Sequence, residues 1–396
     1  MAKNRRELTN MPVGKLGLVA LPGTESFAKL VNNWIVNERR RQKNEDHEGS
    51  IWYRGYEKDN YILDFEFPRF GTGEGKAVAN DSVRGYDLYF IVDVFNYSVT
   101  HKTFYGMQDV PLTPDEHFAN LKRAIAAAEG KASRVNVIMP MLYEGRQHRR
   151  TARESLDCAL MLQELCMLYG VENIITFDAH DPRVQNAIPD KGFEDVKTAY
   201  QMIKSLVRNI PDLKIDKDHL TIISPDEGGL NRSMFYSTVL EVDLGMFYKR
   251  RDYSTIIDGR HPIIAHEFLG DTVEGKDVIV IDDMISSGDS MIEVCEKLKA
   301  LGARRTFTCT AFGLFCNGFE RFDKAYADGI INGVFTTNLT YRPAELRSRP
   351  WHYDVDMSKY VALIIDTLNV DNSLSTLLDP SNKIRHYLSV VGSKEK

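Results

Sequence analysis

A rhythm constrains this chain more than any single motif. Short apolar runs rich in β-branched residues, LGLVA, LYFIVDV, RVNVIM, ENIITF, LTIIS and DVIVI, each end at a loop, and most lead into an amphipathic stretch. The runs are continuous rather than alternating, so both faces of the strands they form must be covered, and the amphipathic stretches are what can cover them. The pattern predicts an α/β fold with mostly parallel sheets flanked by helices. Residues 152–169 carry apolar positions at helical spacing and stop before Gly170, a natural C-terminal cap, so they are expected as one helix. A chain of 396 residues can bury two cores of ordinary size. We expect tandem α/β domains over residues 1–192 and 193–370, with a seam near Pro189 to Ala199 and a tail over residues 371–396. No internal repeat of solenoid type is visible.

Composition narrows the classes of function. A formal net charge of −6 offers no global attraction to nucleic acid, so no nucleic-acid partner is expected and any anion site must be local. No apolar run approaches the roughly 20 residues a membrane helix needs, so no membrane partner is expected. The apolar stretch near the N-terminus is short and broken by glycines, unlike a secretory signal, and a cytoplasmic location is the expectation. Cys158, Cys166, Cys295, Cys309 and Cys316 form no CxxC pair and no zinc-like spacing with histidine. They are expected to be reduced and mostly buried. The polar segment from Asn37 to Tyr61 interleaves acids with arginines and reads as a solvated loop or helix end, while Ser98 to Pro114 reads as an extended surface excursion.

The strongest local signal is DVIVI followed by Asp282, Asp283, Met284, Ile285, Ser286, Ser287, Gly288, Asp289 and Ser290, and then the helical MIEVCEKLKALGA. A buried strand that ends in two carboxylates and turns through small residues into a helix offers backbone N–H groups and hydroxyls to a phosphate. Asp282 and Asp283 beside it can accept hydrogen bonds from vicinal sugar hydroxyls, so the segment suits a ribose phosphate. The structural alternative is an ordinary strand-to-helix turn with a polar N-cap. These residues resemble the ribose-phosphate loop of the type I phosphoribosyltransferase fold, with one departure: Asp289 stands where the family carries a small Gly- or Thr-rich position.

Four further segments bear on which members of that fold the chain resembles. Ser224-Pro225-Asp226-Glu227-Gly228-Gly229-Leu230-Asn231-Arg232 follows LTIIS; Phe177-Asp178-Ala179-His180-Asp181 ends ENIITF; Glu144-Gly145-Arg146-Gln147-His148-Arg149-Arg150 follows RVNVIMP; and Lys249-Arg250-Arg251 follows the strand-like Leu244–Tyr248. Taken alone these read as a turn rich in Pro and Gly, a lone histidine and solvated basic loops. In this order, and with Phe70-Gly71-Thr72-Gly73-Glu74 upstream, they resemble the ribose-phosphate pyrophosphokinase (phosphoribosyl pyrophosphate synthase) family over roughly residues 65 to 300. The tail Asn372–Leu378 resembles that family's closing segment. Thr72 replaces a family Asp, and Arg183 replaces a Gln after His180.

The resemblance implies two tandem phosphoribosyltransferase-like domains, an N-terminal one on the nucleotide side and a C-terminal one on the ribose 5-phosphate side. It implies ATP bound by Phe70, Glu74, Arg146, Gln147 and His180, and ribose 5-phosphate bound by Asp226, Asp282, Asp283, Ser286, Ser287, Gly288, Asp289 and Ser290. Lys249 and Arg251 are expected as the catalytic cations, and Mg²⁺ as the cofactor near His180 and Asp226. The implied reaction is diphosphoryl transfer from ATP to ribose 5-phosphate, giving 5-phosphoribosyl 1-pyrophosphate and AMP, in a homo-oligomer, dimer or hexamer. A non-catalytic synthase-like regulatory subunit and a phosphoribosyltransferase are the other readings.

Overall fold

A computed structural model describes residues 11–45, 55–102, 108–251 and 263–392. The chain divides into two compact units, one of residues 1–197, 339–341 and 357–379, the other of residues 198–338, 342–356 and 380–396. The expected seam at 192/193 thus lies at 197/198, and the expected second domain and tail are both divided between the units.

In the first unit, β1 (Lys15–Ala20), β4 (Tyr86–Ile91), β7 (Arg134–Ile138), β8 (Asn173–Phe177) and β9 (Gly192–Val196) form a parallel sheet in the order β1-β4-β7-β8-β9 among the described residues. Two short antiparallel pairs, β2 (Phe65–Glu66) with β3 (Val78–Ala79) and β5 (Thr100–Lys102) with β6 (Asp109–Pro111), sit outside it. The surface excursion expected from Ser98 to Pro114 is the second of these pairs, and its residues 103–107 lie outside the described residues.

Alternation along the strands sorts their side chains. Leu88 and Phe90 pack with Phe118, Leu121 and Ile125 of α2 (Pro114–Ala127) and Met161 and Leu162 of α3 (Asp157–Gln163). Asp87, on the alternate face, is bonded by Asn369 of α9 (Ser358–Asn369), a helix that packs along α1 (Glu25–Glu45). α10 (Ser375–Leu378) completes this unit.

The expected helix over 152–169 is shorter. The α-helix starts at Asp157, because Glu154 accepts hydrogen bonds from the Thr151 N–H (2.5 Å) and hydroxyl (2.9 Å) and so folds residues 151–154 onto themselves. Its last turn, Glu164–Leu168, is a π-turn, closed by Tyr169 N–H donating to Glu164 O at 3.2 Å, and Gly170 exits at φ +68°. The polar segment from Asn37 to Tyr61 also departs from expectation at three residues: Arg39, Tyr56 and Tyr61 are buried, and residues 46–54 lie outside the described residues.

The second unit holds β10 (Leu220–Ser224), β11 (Asp243–Arg251), β12 (Ile263–Leu269), β13 (Asp277–Ile285), β14 (Arg305–Gly313), β15 (Gly333–Thr337) and β16 (His352–Val355). Their order is β12-β11-β10-β13-β14-β15-β16, parallel except for the β11–β12 pair. Val278 and Val280 face α6 (Asp289–Ala300) and α7 (Glu320–Ala327), while Ile279 and Ile281 face α4 (Ala199–Asn209), α5 (Leu230–Leu240) and α11 (Ser381–Gly392). A further short helix, α8 (Ala344–Arg347), precedes β16. Each run read from the sequence forms a strand because its β-branched residues fill both faces. Cys158, Cys166, Cys295 and Cys309 are buried and free, and Cys316 is exposed and free. No described helix is long and apolar enough to cross a membrane.

Candidate active site

In the second unit three of the motif segments leave neighbouring strands at the same edge. β11 pairs in parallel with β10 (Ser224 opposite Met246), and β10 with β13 (Ile223 opposite Val280). The carboxyl ends of adjacent parallel strands are where ligands bind in open α/β sheets. Here those ends carry Lys249–Arg251, Ser224–Gly229 and Asp282–Gly288.

After β10, Ser224 Oγ donates to Asp226 O at 2.7 Å, and Asp226 Oδ1 accepts from the Gly228 and Gly229 N–H groups at 2.9 and 3.3 Å. Asp226 therefore closes its own turn with one carboxylate oxygen. At the end of β13, Asp282 Oδ1 accepts from Asp283 N–H at 2.8 Å, and Asp283 Oδ1 from Met284 N–H at 2.9 Å. Burial, and the Asp283 carboxylate beside it, push the Asp282 carboxyl well above its usual range, to about 8, although Arg232 of α5 lies 3.8 Å away.

The turn that follows is braced from behind. Cys316 N–H donates to Ser286 O at 2.8 Å and Leu314 N–H to Ile285 O at 2.8 Å. Gly288 sits at φ +87°, and a Cβ there would collide with the Phe322 ring, so backbone conformation and packing both demand glycine. α6 starts at Asp289 with no side-chain cap, and Asp289 N–H donates to Ser287 Oγ at 3.4 Å. The Asp289 carboxylate is paired with Arg321 of α7.

Lys249, Arg250 and Arg251 close β11 rather than opening a loop: they pair antiparallel with His266, Ala265 and Ile263, with a shift in register between Arg250 and Arg251. Residues 252–262, which follow the expected catalytic cations Lys249 and Arg251, lie outside the described residues.

In the first unit, Phe70 and Glu74 lie on a tight hairpin. Phe70 N–H donates to Glu74 O and Gly73 N–H to Phe70 O, each at 2.9 Å, with Gly73 at φ +91°. Arg69 braces it, donating from Nη1 to Gly73 O at 2.8 Å and pairing with Glu116 at 3.1 Å. Thr72 Oγ1 donates to Glu74 Oε2 at 2.7 Å, so the residue that departs from the family orients the one that matches it. Phe70 is 58% exposed, a large aromatic ring presented at the tip.

Arg146, Gln147 and His180 follow the adjacent strands β7 and β8. Gln147 N–H donates to Glu144 O at 2.8 Å. Asp178 adopts φ +39°, a conformation rarely held by a non-glycine residue, and is kept there by its N–H donating to Val196 O (3.0 Å) and the Ala179 N–H donating to Asp195 Oδ1 (2.9 Å). The His180 ring lies 5.5 Å from that of His148, whose Nε2 is 3.5 Å from Asp181. Arg183 grips Asp181 through Nε (2.9 Å) and Nη2 (2.6 Å), which holds the Asp181 carboxyl down to about 2. Arg146, Gln147, His148 and His180 thus share one strand edge, and the hairpin meets that side through α2: Arg69 pairs with Glu116, and Tyr143 donates to Asp115 at 2.6 Å.

Sequence reasoning missed Asp195, Arg232 and Arg321, because each acts across the fold on a segment far away in the chain. Arg232 stood in the quoted Ser224–Arg232 segment without a role. The other two carried no local signal.

The chain matches the family model described as the N-terminal domain of ribose phosphate pyrophosphokinase over residues 58–168, and the phosphoribosyl transferase domain over residues 192–326. Its relatives include ribose-phosphate pyrophosphokinases of Mycoplasmopsis pulmonis, 26% identical over 68% of this chain and 74% of that one, and of Pasteurella multocida, 26% identical over 78% of this chain and 89% of that one. Among solved structures, phosphoribosylpyrophosphate synthetase from Mycobacterium smegmatis superposes with a TM-score of 0.65 at 19% identity, covering 89% of this chain and 98% of that one, which shows the shared fold. With both domain models matched in order and two tandem sheets that carry the motif segments at their carboxyl edges, the chain belongs to the ribose-phosphate pyrophosphokinase family.

Proposed function

We propose that this chain synthesises 5-phosphoribosyl 1-pyrophosphate from ribose 5-phosphate and ATP by Mg²⁺-dependent diphosphoryl transfer, releasing AMP. The observation that carries the reading is the convergence of the Lys249–Arg251, Ser224–Gly229 and Asp282–Gly288 segments on three adjacent strand ends of one sheet. A basic cluster, a carboxylate turn and an acid pair beside a small-residue turn are what a sugar phosphate and a transferring diphosphoryl group require together.

In this reading, Ser286 to Ser290 take the 5-phosphate through hydroxyls and backbone N–H groups, and Asp282 and Asp283 hold the ribose hydroxyls. The raised Asp282 carboxyl can keep a proton near neutrality and donate one hydrogen bond while its partner accepts. On the first unit, Phe70 offers its ring to adenine, and Arg146, Gln147 and His180 meet the rest of the nucleotide. Lys249 and Arg251 stabilise charge that spreads over the phosphoryl oxygens in a loose transition state, where positioning and electrostatics supply most of the acceleration.

Asp226, on the second unit, presents a carboxylate, the hard oxygen donor Mg²⁺ prefers, and His180, on the first, is the other residue the resemblance assigns to the ion; among the described residues no group of three or more His, Cys, Asp or Glu side chains is gathered to hold a metal. When bound, the ion supplies charge neutralisation on the phosphates of ATP. The homo-oligomer is carried by the resemblance to the family, and the exposed Phe70 ring stands where adenine would stack.

The test is formation of AMP and phosphoribosyl pyrophosphate by the purified protein with ribose 5-phosphate, ATP and Mg²⁺, beside Lys249→Ala. Product is expected from the wild type and a loss of roughly a hundredfold or more in kcat from the variant. Folded protein that makes no product would move the assignment to a regulatory subunit. Product from a nucleobase and phosphoribosyl pyrophosphate would move it to a phosphoribosyltransferase.

A further inference from the structure

Asp289 opens α6 at the place where the substrate phosphate is proposed to lie, and a carboxylate there repels a dianion. It is opposed by Arg321 of α7, which forms an ion pair with it. The two side chains are 46% and 58% exposed, so the pair adds little to folding, yet it sets a guanidinium at the rim of the phosphate turn.

Arg321 stands on a pinned backbone. Phe322, the next residue, is buried, stacks on Trp351 with ring centroids 5.4 Å apart, and forms the floor against which Gly288 packs. Asp323, the residue after, accepts from Trp351 Nε1 at 2.7 Å and pairs with Arg349 at 3.0 Å. The helix that carries Arg321 is therefore locked to the same turn that the ligand would occupy.

We propose that Arg321 is a phosphate-binding residue of the ribose 5-phosphate site, with Asp289 as its counter-charge in the absence of substrate. A guanidinium has five N–H donors in a planar fork, and a single carboxylate does not use them all. Phosphate oxygens entering the turn share the remaining donors and outbid the carboxylate for charge. Asp289 thereby sets the affinity: it neutralises Arg321 when the site is empty and costs binding energy when phosphate arrives. The inference rests on the reading in which this turn takes ribose 5-phosphate.

The test is isothermal titration of the full-length protein with ribose 5-phosphate and, separately, with a non-hydrolysable ATP analogue. Arg321→Ala is expected to weaken ribose 5-phosphate binding by roughly tenfold, the loss of one charge-assisted contact. Asp289→Asn is expected to tighten it, Arg321→Lys to restore part of the loss, and the double variant to depart from additivity. Affinity for the ATP analogue should hold in all of them, and the tightening in Asp289→Asn is the change that a merely structural role of the ion pair would not produce. Unchanged ribose 5-phosphate affinity in Arg321→Ala, or parallel weakening of both ligands, overturns the proposal. Should Arg321→Ala not fold, Arg321→Lys and Asp289→Asn carry the test: shifts of opposite sign support it, and shifts of the same sign overturn it. A wild type that binds the ATP analogue but not ribose 5-phosphate overturns the substrate reading together with this inference.

Discussion

Asp282 shows how one residue's surroundings convert a motif into measurable behaviour. Its carboxyl is raised from 3.8 to about 8 by burial and by Asp283, so between those values the native state holds a proton that the unfolded chain has released. Stability must then fall as pH rises from about 4 through about 8, the reverse of an ordinary salt-bridged carboxylate. Asp282→Asn removes the titration. The urea midpoint of the wild type is expected to drop more than that of the variant between pH 5 and pH 8. Asp93, raised to about 7 by burial, adds the same slope to both proteins, so the difference isolates the interacting Asp282–Asp283 pair. Equal drops would show that the Asp282–Asp283 pair holds no extra proton in the native state. The sequence showed this acid pair and its turn, because adjacent carboxylates before small residues are a local pattern. It did not show Arg232 or Arg321, whose charges reach the turn only through packing of α5 and α7.

Among elements, the pairing of α1 with α9 is the least local. Arg39 donates from Nε to Asp366 (2.7 Å), from Nη2 to Asn369 (2.8 Å) and from Nη1 to Tyr56 O (2.8 Å), and its guanidinium lies 4.0 and 5.0 Å from the ring centroids of Tyr56 and Tyr61. Asn369 in turn donates to Asp87, which Arg134 holds at 2.8 and 2.9 Å. Arg39→Ala strands the nearly buried Asp366 carboxylate and is expected to destabilise the protein by about 3–5 kcal/mol, the usual cost of breaking a buried pair. Chemical denaturation measures it, and a loss below about 1 kcal/mol, the range of exposed pairs, would mean that water replaces the guanidinium. In sequence Arg39 stood in NERRRQKNED and looked solvated. Composition averages over a helix, whereas burial is decided by which side of the helix a residue occupies. The shortened α3 teaches the same point: apolar spacing marks a helix but not where neighbouring polar side chains take over the backbone donors.

For the whole molecule, the division into units does not follow the order of the chain. Residues 357–379 belong with residues 1–197, and residues 380–396 with the second unit. Deleting residues 380–396 is expected to leave amide protection in β1 and β4 intact, whereas deleting residues 357–396 removes α9 and should abolish it. Hydrogen exchange reads both, and protected β1 amides after the longer deletion would show that the first unit folds without its C-terminal helix. What the sequence by itself determined was the local grammar: parallel strands from continuous β-branched runs, the order of the motif segments, and the small-residue turn after the acid pair, each encoded within a few residues of its own position. Only the tertiary structure decided that α9 returns to the first unit, that Lys249–Arg251 finish a strand, that Asp195 holds the strained Asp178 turn and that Arg321 answers Asp289. Those outcomes depend on contacts between segments far apart in the chain, and contact between distant segments is settled by packing and charge burial, which no window along a sequence contains.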